Sequence, residues 1–247
     1  MSIQYEYHHE RQKDLLLNIK TYFDLDRNET IFQKRNILKR VPFEGREYIV
    51  KSFKTPHLIN QIAYGLFRDG KAKKSYYNSM KIVDFVPAPI GYIEFKKGFL
   101  LKESYFISEP FDYDFTIREP LTTPDFPNKT AIYHALARFT HQLHQRGVLH
   151  LDYSPGNILI KAHQGWYEFK VIDVNRMAFK TLSTQERLEN FSKLWASDED
   201  LATIIHEYTK ISKINTDNAL NIALKASHQH KKKTNLKRKI QGKEILD

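Results

Sequence analysis

The stretch VLHLDYSPGNILI, Val148 to Ile160, lies past the midpoint of a chain of 247 residues. Apolar residues close both of its ends, as in two short buried strands. Between them stand His150, Asp152 and Asn157, spaced as H-x-D-x-x-x-x-N. Pro155-Gly156 is turn chemistry in any protein. A surface turn would account for Pro-Gly. It leaves unexplained why an imidazole, a carboxylate and an amide share one short segment between anchored ends.

The flanks suggest a scaffold. Asn128 to Arg146 reads as a helix with Ile132, Leu136, Phe139 and Leu143 on one face and Gly147 as its C-terminal cap. His141 and His144 lie on this helix without an evident third metal ligand, so they read as ordinary surface or core histidines. After the loop, Ile158 to Ile160 and Phe169 to Ile172 read as strands, with Lys161 to Gly165 as the turn. The second strand runs into "FKVIDVN", which places Asp173 just beyond an apolar segment. From about Thr184 onward the chain reads as helical, with Asp198 as an N-cap by residue type.

The first half differs. Glu10 to Phe23 has helical spacing. Ile37 to Val41 and Glu47 to Phe53 read as a hairpin turning at Phe43-Glu44-Gly45-Arg46, and Lys51 falls on its second strand. Leu58 to Ile82 reads as a helix carrying Arg68, Lys71, Lys73 and Lys74. "PAPIGYIEFKKGFLLKESYFISE" reads as two more strands turning at Lys96-Lys97-Gly98. Pro110, Pro120, Pro124 and Pro127 then oppose long regular elements. The expected organisation is one α+β domain over 1–247. It has a β-rich N-lobe at about 1–109, a connector at about 110–127 and a mostly helical C-lobe at about 128–247.

Composition sets limits. Hydrophobic residues are 41% of the chain, enough for a packed core. With no cysteine, disulfides and Cys-based zinc sites are excluded. No apolar run approaches a membrane span, and the polar N-terminus lacks the apolar region of a secretory signal. A cytoplasmic location is expected. The net charge is +10, and the segment 225–243 holds eight Lys or Arg and no acid. Such a run is either a solvated tail or an attractor for a phosphate-rich partner. Nucleic-acid binding through it would leave the central constellation without a purpose.

Phosphoryl transfer needs a carboxylate to take the acceptor's hydroxyl proton, hard oxygen ligands for metal, and a Lys for the donor phosphates. Asp152, Asn157, Asp173 and Lys51 supply these types in the appropriate order. Lys54 is a weaker competitor for the last role. His150 reads as a brace for the loop.

These residues resemble the protein-kinase-like fold, with its strand Lys, H-R-D loop and metal-binding Asp. Leu151 replaces the Arg, Ser154 stands where a Lys is usual, and "DVN" replaces D-F-G. The stretches "KRNILKR", "YIVKSFK", "GKAKKSYYNS", "VPAPIGYIE", "HLDYSPGNIL" and "VIDVNRMAF" resemble the lipopolysaccharide core kinases, which act on Kdo or heptose in Gram-negative bacteria. The resemblance implies a two-lobed kinase using ATP and Mg2+, with Asp152 as catalytic base, Asn157 and Asp173 as magnesium ligands, and Lys51 on the phosphates. It also implies a Kdo-lipid A acceptor, and the charge of the basic segment suggests a peripheral contact with an anionic membrane surface. Two features depart from kinases. No helix Glu is available for Lys51: the only acid between Thr55 and Val83 is Asp69, and Tyr76, Tyr77 or Asn78 occupies the expected place. No glycine-rich loop exists either. Lys34, Arg35 and Asn36 either replace it with side-chain contacts or are strand-edge polar residues. The rival readings are a protein or aminoglycoside kinase, and a pseudokinase that only binds.

Overall fold

The computed structural model describes residues 2–33, 36–55 and 69–245. Lys34, Arg35, Arg68 and the first part of the helix expected from Leu58 lie outside the described residues. The chain forms two compact units. One is Met1–Asp112 with Asp173–Asn175, and the other is Tyr113–Ile172 with Arg176–Asp247.

The first unit is built on an antiparallel sheet of β1 (Ser2–Tyr7), β2 (Glu29–Gln33), β3 (Ile37–Phe43), β4 (Arg46–Phe53), β5 (Pro89–Lys97) and β6 (Leu100–Ser108). Its order is β1-β5-β6-β4-β3-β2. The edge strands β1 and β2 were not expected from the sequence. All five residues of β2 are exposed and it lacks the alternation that marks a half-buried strand, whereas β1 does alternate, with Ile3, Tyr5 and Tyr7 between Ser2, Gln4 and Glu6. The β3–β4 hairpin turns at Glu44 and Gly45, both at positive φ (48° and 72°). Both central residues of a type I′ turn have that conformation.

Strand alternation decides where Lys51 points. Tyr48 and Val50 enter the core formed with Leu15, Leu16, Ile19 and Phe23. Those four come from α1 (Lys13–Leu17) and α2 (Ile19–Phe23), which interrupt the single expected helix at Asn18. Lys51 and Phe53 therefore face the other side, where Phe53, Tyr92, Ala72 and Tyr76 pack together. Ala72 and Tyr76 belong to α3 (Lys71–Lys81).

The start of α3 meets a buried acid. Glu94 on β5 is 1% exposed and accepts from the Lys73 backbone N–H at 3.4 Å. A Cβ at Gly70, the N-cap, would overlap the Glu94 carboxylate. A negative group at a helix N-terminus is favourable, yet burial dominates and raises the Glu94 pKa against the opposing pull of Lys73 and Lys96.

The second unit contains β7 (Phe115–Thr116), α4 (Arg118–Thr122), α5 (Lys129–Gln145), β8 (Val148–His150), β9 (Ile158–His163), β10 (Trp166–Val171), β11 (Met177–Phe179), α6 (Thr184–Asn190), α7 (Asp198–Ser212) and α8 (Thr216–Ile240). The strands form the sheets β10-β9-β7 and β11-β8. Pro120 fits in α4 because it sits in the first turn, where a backbone N–H lacks a helical acceptor. The N-cap of α7 is Ser197 and not Asp198: its side chain accepts from the Asp200 N–H, and Asp198 instead bonds His228. Buried Ala219, Ala223 and Ser227 form one face of α8. The basic segment therefore continues a packed helix.

Because the folded chain binds the Glu94 proton more tightly than the unfolded chain, this group's stabilisation is complete at low pH. It is lost as pH rises through the raised folded value. Glu94→Gln keeps the shape and removes the titration. The variant should be the more stable protein at neutral pH, with the difference shrinking toward about pH 4, the ordinary carboxylate range. Denaturant melts across that range check it, and parallel curves for the two proteins would refute the reading.

Candidate active site

The stretch from Val148 to Ile160 folds as strand β8, an irregular loop, a single 3-10 turn at Pro155–Asn157, and strand β9. Several backbone bonds fix its course. The Leu151 N–H donates to Arg176 O at 2.9 Å, Ser154 N–H to Asp152 O at 2.8 Å, and Ile172 N–H to Asn157 O at 3.0 Å. The Asn157 side-chain amide donates to Asp152 O at 2.9 Å. That bond determines the amide's orientation. Tyr153 is fully buried and lies 2.7 Å from Thr140 Oγ1. Since that hydroxyl already donates to Leu136 O, the tyrosine is the donor. Leu151, in the place of the H-R-D arginine, is half exposed.

His150 is the brace expected from its position. Its Nδ1 accepts the Asp152 N–H at 3.1 Å, which leaves Nε2–H to donate to Ile172 O at 2.9 Å. One neutral ring thus ties the residue that begins the loop's polar part to the residue preceding Asp173.

A second layer lies behind it. Asn190, at the end of α6, donates its amide to His150 O at 2.9 Å. Its amide oxygen then faces His144 Nε2 at 3.2 Å, and His144 Nδ1 lies 2.9 Å from the Tyr208 hydroxyl. This arrangement makes Nε2 the donor and Nδ1 the acceptor, again a neutral ring. His144 is a buried structural residue, as its helix position suggested. Asn190 carried no sequence signal, because only tertiary packing brings it to the loop.

In the first unit Asp173 meets Lys51. Lys51 Nζ lies 2.9 Å from Asp173 Oδ1, and the Asn175 amide donates to the same oxygen. Asp173 has φ of 59°, a left-handed conformation uncommon for a residue with a side chain. Such outliers cost about 1–3 kcal/mol and persist where surrounding structure enforces them. Asn78 of α3 supplies part of that enforcement by donating to Val174 O at 2.8 Å. In place of a helix Glu, the helix offers a neutral amide to the backbone, and Lys51 pairs with Asp173 itself.

Other expected residues are placed less directly. Asn36 accepts the Lys54 backbone N–H at 3.3 Å. In the basic group on the helix, Lys73 is committed to Asp69 at 2.7 Å. Arg118, which the sequence did not single out, lies against Gly156: a Cβ there would be 2.6 Å from a guanidinium nitrogen.

A strand Lys paired to an Asp of the segment after β10, and a braced H-x-D-x-x-x-x-N loop, define a kinase of the protein-kinase-like fold. The chain belongs to the lipopolysaccharide kinase (Kdo/WaaP) family, whose model matches residues 80–214. That span includes Asp152, Asn157 and Asp173 and begins after Lys51. Among solved structures the chain is similar to WaaP in complex with acyl carrier protein. The TM-score is 0.60 at 14% identity, covering 93% of this chain and 97% of that one. No curated protein sequence matches the chain.

Burial lowers the His144 pKa to about 4. A ring held neutral in the fold stabilises it fully above the unfolded value near 6.5, and the contribution is lost as pH falls through about 4. That difference corresponds to about 3 kcal/mol. Thermal or urea melts between about pH 7 and 4 should show the unaltered protein losing about that much more stability than His144→Gln. Equal losses would mean that His144 is not held neutral.

Proposed function

We propose that this kinase transfers the terminal phosphoryl group of ATP, with magnesium, to a hydroxyl of a lipopolysaccharide inner-core sugar, with Kdo as the acceptor. Family membership supports the substrate class. The observation that carries the residue roles is the way the loop is held. Backbone bonds at Leu151, Asp152, Ser154 and Asn157 and one Asn157 amide proton hold the loop, while the Asp152 carboxylate has only a loose contact with Arg176 at 3.9 Å.

The residues fit a magnesium ion. Magnesium bound to nucleotide takes one or two protein oxygens, with phosphates and water completing its shell. By residue type, the Asn157 amide and the Asp173 carboxylate would each supply such an oxygen. The metal would neutralise charge building on the phosphate oxygens.

Asp152 accepts the acceptor hydroxyl's proton. The hydroxyl oxygen bonds to the terminal phosphorus, the bond from that phosphorus to the bridging oxygen breaks, and ADP departs with the electron pair. Lys51 holds the donor phosphates as a point charge. Lys34 and Arg35, together with the Asn36 amide, supply side-chain contacts to phosphate in place of a glycine-rich loop.

Asp152→Asn should lower phosphoryl transfer by about a hundredfold or more, since positioned proton transfer contributes that much. Nucleotide affinity should hardly change. Asp173→Ala should abolish magnesium-dependent ATP binding. Mass spectrometry of a Kdo-bearing lipid A after incubation with ATP and magnesium reads the transfer. Phosphate on a protein or aminoglycoside instead would move the substrate assignment, and absence of ATP binding would leave a pseudokinase.

We also propose that the end of α8 contacts an anionic membrane from the cytoplasmic side. Its basic run is interrupted by Leu236 and Ile240, which are 59% and 78% exposed. They lie four residues apart on one helix face. Lysines flanking an exposed apolar pair suit an interfacial helix. The protein should sediment with anionic vesicles at low salt, and Leu236→Ser with Ile240→Ser should weaken this several-fold. Equal binding to neutral vesicles would refute it, and capture of an acidic protein alone would reassign the surface.

A further inference from the structure

Two arginines of the second unit touch the loop that carries Asp152, and neither is used by the roles above. Arg176 begins the segment after Asn175. Its backbone carbonyl accepts the Leu151 N–H at 2.9 Å, which locks it beside the loop. Its guanidinium lies 3.9 Å from Asp152 Oδ2 with the side chain 63% exposed. That separation is beyond hydrogen-bond length, so the pair is a loose one and the donors remain available. Arg118, the first residue of α4, is exposed and lies over Gly156, where any side chain would displace it. It has no carboxylate partner among the described residues. Its neighbour Glu119 is committed to the Thr116 N–H and hydroxyl.

The geometry points to Arg118 and Arg176 as an oxyanion-binding subsite for the acceptor. A carboxylate or phosphate beside the reacting hydroxyl would be repelled by Asp152, which must stay ionised to take the proton. A guanidinium at 3.9 Å from that carboxylate offsets the repulsion. Its planar fork suits either oxyanion and gives it two parallel hydrogen bonds. Gly156 makes room for the second guanidinium on the same loop. The basic group on α3 is a poorer candidate, because Lys73 is held by Asp69. This subsite rests on the reading of Asp152 as the proton acceptor.

The test measures binding and turnover of a Kdo-bearing lipid A. Three forms serve as probes: intact, with the Kdo carboxylate methylated, and with the lipid A phosphates removed. Arg118→Gln and Arg176→Gln should each raise the acceptor KM about ten- to hundredfold, the loss of a charged hydrogen bond. The KM for ATP should stay unchanged. Arg→Lys at either position should recover part of the loss. Gly156→Ala should raise the acceptor KM by displacing a flexible side chain, with no fall in melting temperature. Each Gln variant should also stop discriminating between the intact acceptor and one modified form. Methylation as the sensitive change identifies the carboxylate, and phosphate removal identifies the phosphate. An unchanged acceptor KM, or a raised KM for ATP, overturns the subsite. Calorimetric binding of the acceptor to Asp152→Asn separates the two readings. If Asp152→Asn binds acceptor without turnover while the arginine variants behave normally, the subsite alone fails. If Asp152→Asn turns over normally, or the unaltered protein neither binds nor phosphorylates the acceptor, the functional reading fails and the subsite with it.

Discussion

A single neutral imidazole governs the geometry of the loop. His150 accepts a proton from the Asp152 backbone and donates one to Ile172 O. It can do both only in one tautomer and only while uncharged. A protonated ring would present a second donor to the Asp152 N–H and break the clasp. The position of Asp152 thus depends on an electrostatic condition met behind it. The chain secures that condition by burying His150 to 1% exposure and by fixing its carbonyl through Asn190.

The same strategy recurs one layer deeper. His144 is also neutral, buried, and placed between a donor and an acceptor. Buried polar networks are costly when any member lacks a partner. This one is closed at both ends, by the Tyr208 hydroxyl and by the His150 carbonyl. Replacing any one member by an apolar side chain would leave its neighbours without hydrogen bonds, at about 1–3 kcal/mol for each group. The network is therefore a source of rigidity for the loop more than a source of net stability.

The loop and the strand Lys were legible because their chemistry is local. H-x-D-x-x-x-x-N sits between apolar ends, and period-two alternation separates Val50 from Lys51. Most helices and central strands were legible for the same reason, since their apolar residues repeat at the period of the element. The edge strand β2 was not, because it is exposed throughout and has no alternating apolar face, while β1 went unrecognised although Ile3, Tyr5 and Tyr7 alternate along it. Asn190 and Arg118 were also silent, and Asn78 was legible only as one of three residues standing where a helix Glu is expected. Each acts on a backbone group or a glycine distant in sequence, and nothing in its own neighbourhood encodes that contact. Asp198 misled for a related reason. Ser and Asp are both good caps, and the choice of Ser197 is made by the position of His228 on another helix.

The missing helix Glu has a physical consequence. In a Lys–Glu pair the lysine's charge is neutralised by a helix, leaving the metal-binding Asp to the metal. Here the helix contributes Asn78, which holds Val174 O and carries no charge. Lys51 and Asp173 therefore neutralise each other at 2.9 Å. In the proposed reading, nucleotide and metal would offer each partner a stronger ion: phosphate for Lys51 and a divalent cation for Asp173. The backbone at Asp173 is left-handed, with φ of 59°, and the Asn78 bond to Val174 O helps to hold it without engaging the Asp173 carboxylate. Orientation and charge compensation, combined in one Glu elsewhere, are divided in this chain between the Asn78 amide, which never titrates, and the Lys51–Asp173 ion pair.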